Sequence, residues 1–151
     1  QMCIRDRDIK GCSLFLMNNQ SNELEVAAST GLSEAYLNKG PVSALHSIAD
    51  SLEDGPIAVY DVSDDPRIQY PEDAKKEGIA SILSVPIMIG DKAIGAIRAY
   101  TAEKWEFTLE DVNFAQALAQ IAGILIEMTR LYQGQSDHIE ALATMCESPA
   151  L

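Results

Sequence analysis

Basic residues are scarce in this sequence: 11 Lys and Arg stand against 23 Asp and Glu, a formal net charge of −12 over 151 residues. Nucleic acid and anionic membrane surfaces are held mainly by clustered Lys and Arg, so neither is an expected partner. Cysteine is sparse too. Cys3, Cys12 and Cys146 are odd in number and far apart, which builds no disulfide framework and suits a reducing, cytoplasmic compartment. Two histidines, His46 and His138, are too few to assemble a zinc site or a buried triad readily. The chain has no Gly-x-Ser-x-Gly, His-Glu-x-x-His, Cys-x-x-Cys or Gly-x-x-x-x-Gly-Lys motif, so no catalyst, metal or cofactor is expected. No unbroken apolar run approaches the ~20 residues of a bilayer span, and no signal-peptide pattern opens the chain.

What is present supports one folded domain. Apolar residues make up 47% of the sequence, and a domain of this size buries roughly two-thirds of the surface its unfolded chain exposes. Residues 1–10 fit poorly with the rest of the chain. Their string Met-Cys-Ile-Arg-Asp-Arg resembles a translated sequencing adapter, and no function is placed there. From Gly11 to Met17, Cys12, Leu14 and Leu16 alternate with Ser13, Phe15 and Met17, predicting a strand covered on both faces. A polar turn at 18–22 leads to a second strand with Leu24, Val26 and Ala28 on one face, completing an antiparallel hairpin. Ser33 is placed to cap a short helix through Leu37, which Gly40-Pro41 breaks. Apolar residues at 42, 45, 48 and 52 then have helical spacing, with His46 among them. Ile57–Tyr60 reads as a short strand, Asp64-Asp65-Pro66 as a turn or helix start, and Pro71–Glu77 as a helix stopped by Gly78. Two strands over 79–89 and 93–100 flank Gly90-Asp91-Lys92, where glycine in the first turn position suits a type II′ connection. Thr108 with Asp111 opens a last helix, predicted to run to about Tyr132 before Gly134 and a polar tail. Strands without dominant parallel crossovers give an α+β fold with a central antiparallel sheet of five to six strands.

The order of these pieces resembles a GAF domain over residues 11–133, with 134–151 as a tail or linker. The carriers are Gly31-Leu32-Ser33, Tyr60-Asp61-Val62-Ser63-Asp64-Asp65-Pro66-Arg67, Gly78–Ile87, Ile94-Gly95-Ala96-Ile97, and Phe107-Thr108 followed by a helix ending in Leu131-Tyr132. The resemblance implies helices on one face of the sheet and a ligand cavity on the other, roofed by residues 31–80. A loop-rich stretch of that length within a compact domain is usually functional. Cyclic-nucleotide-binding members carry an Asn-Lys pair after the second strand of the hairpin, then Phe, three residues and Asp-Glu. Here Phe107 and Asp111 remain, but Thr101-Ala102 and Val112 replace the rest, so the ion pair of that motif does not form. Bilin-binding members use a cysteine followed by histidine, and members that reduce methionine sulfoxide use cysteines around the pocket. No cysteine lies between Cys12 and Cys146.

Seven residues are candidate ligand contacts. Arg98 lies mid-strand between small neighbours, where a guanidinium grips a carboxylate or phosphate in a bidentate fork; the alternative is a salt bridge to Glu103 or Asp111. Tyr36, Tyr60 and Tyr70 fall on the roof, where an aromatic body with a polar tip suits a pocket wall. His46 titrates near neutrality or is an ordinary helix histidine. Ser81 and Ser84 are potential donors or simply small strand residues. Asp61, Asp64 and Asp65 lack the regular spacing and final Glu of a calcium loop and read as turn residues.

On the last helix, Leu118, Ile121, Leu125, Met128 and Tyr132 follow the 3-4 spacing of a coiled-coil seam, continued at Ile139, Leu142 and Cys146. One amphipathic helix packing on its own sheet accounts for part of this spacing, and the resemblance to GAF domains that signal along such helices implies a parallel homodimer. The function expected is a non-catalytic regulatory sensor for an unknown small molecule, signalling through that helix. The alternative is a dimerisation module whose pocket its own side chains fill.

Overall fold

The computed structural model describes residues 9–40, 42–43 and 55–147. Alternating side chains and tight turns build a six-stranded sheet of β1 (Ile9–Asn18), β2 (Glu23–Thr30), β3 (Val42–Ser43), β4 (Ile57–Val59), β5 (Ser81–Ile89) and β6 (Lys92–Thr101), in the order β3-β2-β1-β6-β5-β4. Every neighbouring pair is antiparallel. The β1–β2 turn is held by Asn18, whose side chain accepts from the Gln20 amide at 2.9 Å, while Asn22 adopts a φ of 59°, a left-handed conformation that asparagine tolerates. Gly90 has a φ of 58° and Asp91 does not share its sign, as the expected type II′ connection requires.

The two faces of this sheet do different work. Leu83, Val85 and Ile87 of β5, with Leu14, Ile97 and Ala99, pack beneath α3 (Leu109–Glu147). The helix begins in a reciprocal cap: Thr108 Oγ1 accepts from the Asp111 amide at 3.2 Å, and the Asp111 carboxylate accepts from the Thr108 amide at 2.9 Å. It docks through Val112, Ala115, Ala119, Ala122 and Ile126. These mostly small residues at 3-4 spacing let the helix settle close to the strands. The opposite face of the sheet carries Ile82 and Tyr100, which pack with Tyr36, Val59, Val62, Ala74 and Ile79 of the roof. The roof holds α1 (Glu34–Leu37) and α2 (Pro71–Glu77), the latter ended by Gly78 at a φ of 76°.

Two expectations need correcting. Val42 does not open a helix: it is buried on β3, paired with Leu24, because a β-branched residue beside an open sheet edge gains more by pairing. The rest of that predicted helix, His46 included, lies outside the described residues. Of the two readings of Asp64-Asp65-Pro66, the turn is the one observed. The last helix does not end near Tyr132 but continues to Glu147, about 58 Å in all at 1.5 Å per residue. By length and composition alone it is also long and apolar enough to cross a membrane, although interspersed polar residues such as Gln116, Gln120 and Glu127 keep any unbroken apolar run short.

Two glycines in α3 have opposite expected effects. A Cβ on Gly123 would lie 2.6 Å from the Met88 carbonyl oxygen, whereas nothing lies within 4 Å of one on Gly134. Gly123→Ala is therefore expected to destabilise by about 1–3 kcal/mol through overpacking against backbone. Gly134→Ala is expected to stabilise by about 1 kcal/mol through helix propensity. Urea denaturation should show the two midpoints moving in opposite directions. Movement in the same direction would contradict the docking of α3 on β5.

Candidate functional site

Arg98 stands at the centre of β6, with Ser13 of β1 and Ser84 of β5 as its cross-strand partners. All three are buried, Arg98 to 5% exposure. Two small neighbours leave the volume that a guanidinium needs, and its Cζ lies 4.8 Å from the Phe15 ring centroid, within cation–π range. Ser13 itself shares a 2.9 Å hydrogen bond with the Tyr100 hydroxyl.

The roof is tied together above this charge. Ser33 Oγ accepts from the Tyr36 amide at 3.2 Å and caps α1, while the Glu77 carboxylate accepts from the Ser33 amide at 2.8 Å and its hydroxyl at 2.5 Å. Those bonds hold the Glu77 carboxyl below its usual range and fasten α1 to α2. The capped turn directs Tyr36 inward, edge-on to Tyr100 with centroids 6.0 Å apart. Lys39, one turn later, sits 3.8 Å over the Tyr36 ring and 5.8 Å from the Tyr70 ring, and donates to the Tyr36 carbonyl at 3.1 Å. The Tyr70 hydroxyl accepts from Gln69 Nε2 at 3.2 Å.

Tyr36, Lys39, Gln69, Tyr70 and Arg98, with Val42, Ile68 and Ile82, enclose a hollow of about 20 Å³. That is room for a group of about one water's size, so the roof admits only a head group in this conformation. The hollow is electropositive. Desolvation, reinforced by the charge of Arg98, lowers the Lys39 pKa to about 8 against the opposing pull of Asp73 and Glu77. Burial, then the neighbouring Tyr100, pushes the Tyr36 hydroxyl upward against the pull of Arg98.

Of the predicted contacts, Arg98, Tyr36 and Tyr70 meet at this hollow. Tyr60 does not: it is 57% exposed, because Val59 takes the inward position on β4 and the next residue must face out. Ser81 is also elsewhere, donating to the Tyr60 carbonyl at 2.5 Å and accepting from the Trp105 amide at 2.8 Å, a tie between β4 and the approach to α3. Ser84 stays beside Arg98 on the sheet but does not line the hollow. Lys39 and Gln69 escaped the sequence reading. The signal for Lys39 was its position three residues after Tyr36 on a helix stopped by Gly40-Pro41. The aspartates serve turns: Asp61 binds the Ser63 amide at 3.0 Å and Lys104 at 2.5 Å, and Asp65 pairs with Arg67. Asp111 is engaged in the α3 cap.

A larger groove of about 150 Å³ lies among Met17, Asn19, Ile89, Lys92, Ile94 and Arg130. Its cations are exposed, so solvent screens them. Neither described cysteine reaches either space: Cys12 shares the α3 side of β1 with Leu14, and Cys146 lies near the distal end of α3.

The predicted seam residues Leu118, Ile121, Leu125, Met128 and Tyr132 are all exposed, as are Phe114, Ile124 and Leu131. They lie away from the docking face centred on Ala119, which is buried. An apolar band of that length on a single helix is unusual for a surface that faces water alone.

The sequence pattern of the GAF domain family matches residues 5–127, beginning inside the stretch that reads as a leader. No curated protein matches significantly. Among solved structures, the GAF domain of a phosphoenolpyruvate-protein phosphotransferase from Coxiella burnetii is similar with a TM-score of 0.74 at 22% identity, over 83% of this chain and 76% of the other. A domain assigned to a two-component sensor histidine kinase of Sinorhizobium meliloti 1021 gives 0.73 at 22% identity, over 85% and 86%. Free methionine-R-sulfoxide reductase from Neisseria meningitidis, in complex with its substrate, gives 0.69 at 19% identity, over 82% and 71%.

Proposed function

The chain belongs to the GAF domain family, and on that premise we propose that it is a cytoplasmic, non-catalytic sensor: a small molecule binds beneath the roof, and α3 carries its occupancy to a partner copy. The observation that carries this reading is the buried Arg98 on the sheet side of a hollow on one face, while the other face seats a helix with an exposed apolar band. β5 and β6 contribute to both faces, so a change at Arg98 is one strand thickness from the docking residues of α3. Transmission requires that the ligand favour one of two arrangements of roof and helix. We assign the apolar band to a parallel helix pair and not to a membrane, because its spacing is that of a coiled-coil seam.

A thermal-shift screen against small metabolites tests this. A ligand at a hundredfold excess over its Kd stabilises the native state by about 2.7 kcal/mol, and Arg98→Lys should abolish the shift. The small size of the hollow favours the second reading, a dimerisation module with a filled pocket. No shift with any metabolite, alongside intact dimers, would select it. The similar reductase structure makes catalysis the third outcome. With Cys12 and Cys146 away from the hollow, turnover of free methionine sulfoxide is expected to stay at the buffer rate, checked by reductant consumption. Turnover lost in Cys12→Ser or Cys146→Ser would overturn the non-catalytic assignment.

A further inference from the structure

Resting on the reading of the hollow as a ligand site, we propose that its ligand is a compact organic anion whose carboxylate docks between Arg98 and Lys39. Both cations line the same 20 Å³ hollow. Arg98 is almost wholly buried at the sheet centre, and Lys39 reaches in from the roof across the Tyr36 ring. Two cations on the wall of one hollow attract an anion of matching size. A planar carboxylate matches the guanidinium fork and comes nearest to the available volume, whereas a tetrahedral phosphate demands more. Tyr36, Tyr70 and Ile68 offer apolar wall to a short carbon chain. Arg98, Gln69 and Tyr70 each make further interactions within the fold, so docking exchanges partners and moves the roof.

The charge state of Lys39 makes the proposal sensitive to pH. The groups acting on its ammonium are Arg98 from β6, Asp73 and Glu77 from α2, and the Tyr36 and Tyr70 rings. In the empty protein Lys39 loses its proton near pH 8; a bound carboxylate favours the protonated form and raises that value. Between the carboxylic acid's own titration and about pH 8 affinity is therefore level, and it falls as pH rises above that, by up to about tenfold per unit until the bound-state pKa is passed.

Isothermal titration of the full chain at pH 7 and pH 9.5, with propionate and butyrate, their amides propionamide and butyramide, and inorganic phosphate, tests this. The acids are expected to bind about tenfold or more tightly than the amides, the worth of one charge-assisted hydrogen bond, and to weaken at pH 9.5. Lys39→Met should cost a similar factor and remove the pH dependence, which a merely structural lysine would not produce. Lys39 is partly exposed, so this variant keeps the test sound if a substitution of buried Arg98 unfolds the domain. Amides binding as well as acids would overturn the anion class and leave the sensor reading standing. Phosphate binding more tightly than the acids would overturn the carboxylate in favour of a phosphoryl group. No binding by any probe, together with an empty metabolite screen, would overturn both.

Discussion

Replacing Leu125 and Met128 together with glutamate is expected to convert the proposed dimer to a monomer and to leave the domain folded. The two side chains are 58% and 61% exposed on the single chain, so the fold gives up little when they change. In a two-fold pair each is buried twice. Burial of a Leu or Met side chain contributes about 1.5–3 kcal/mol, so four such burials sum to about 6–12 kcal/mol, and their loss weakens association by at least about 10⁴-fold. Sedimentation equilibrium of the parent and variant, with circular dichroism as the check on folding, decides this. The orientation of the proposed pair is open to a separate test. Cys146 stands 21 residues, three whole heptads, beyond Leu125, so in a parallel pair the two Cys146 thiols lie side by side at a separation a disulfide accepts. Mild oxidation should give a covalent dimer that Cys146→Ser abolishes. An antiparallel pair would leave the thiols at opposite ends and uncrosslinked.

The second large effect lies between the sheet and α3. Ile87 is fully buried, and its side chain is the second contact, after the Met88 carbonyl, at the close approach of Gly123. Ile87→Ala is expected to cost about 2–5 kcal/mol through lost transfer energy and the cavity left behind, a large share of the roughly 5–15 kcal/mol that stabilises a typical domain. The urea midpoint should fall accordingly. A cost below about 1 kcal/mol would mean that α3 does not dock at that level of β5, and the proposed route from roof to helix would lose its middle link.

Much of this fold is readable from side-chain alternation and turn chemistry. The two hairpins followed from period-two patterns around Asn18–Asn22 and Gly90-Asp91, and the start of α3 from Thr108 and Asp111, because each is decided locally. Arg98 was visible as a charge in mid-strand among Ala96, Ile97 and Ala99, with a ligand contact and a salt bridge both open to it. The misplacements have equally physical causes. Gly134 costs the helix about 1 kcal/mol, which the strong helix formers on either side outweigh. Val42 has helical spacing with the residues after it, yet the open edge of β2 offers it hydrogen bonds that periodicity does not register. Tyr60 was decided by parity: with Val59 inward it had to face water, and its aromatic character misled. Lys39 was overlooked because lysine is almost always solvated. Its partial burial follows from Tyr36 turning inward and from the turn after α1, a long-range outcome that its position after Tyr36 marks only weakly.

Native mass spectrometry of the freshly purified protein at pH 7 tests most directly whether Arg98 and Lys39 hold a ligand in a dimeric receptor, because it weighs subunits and retained molecules together. We expect a mass of two chains plus a small organic acid on each, with the acid absent from Lys39→Met. An unliganded mass in both proteins, unchanged by added propionate or by the metabolite pool of the host, would contradict it.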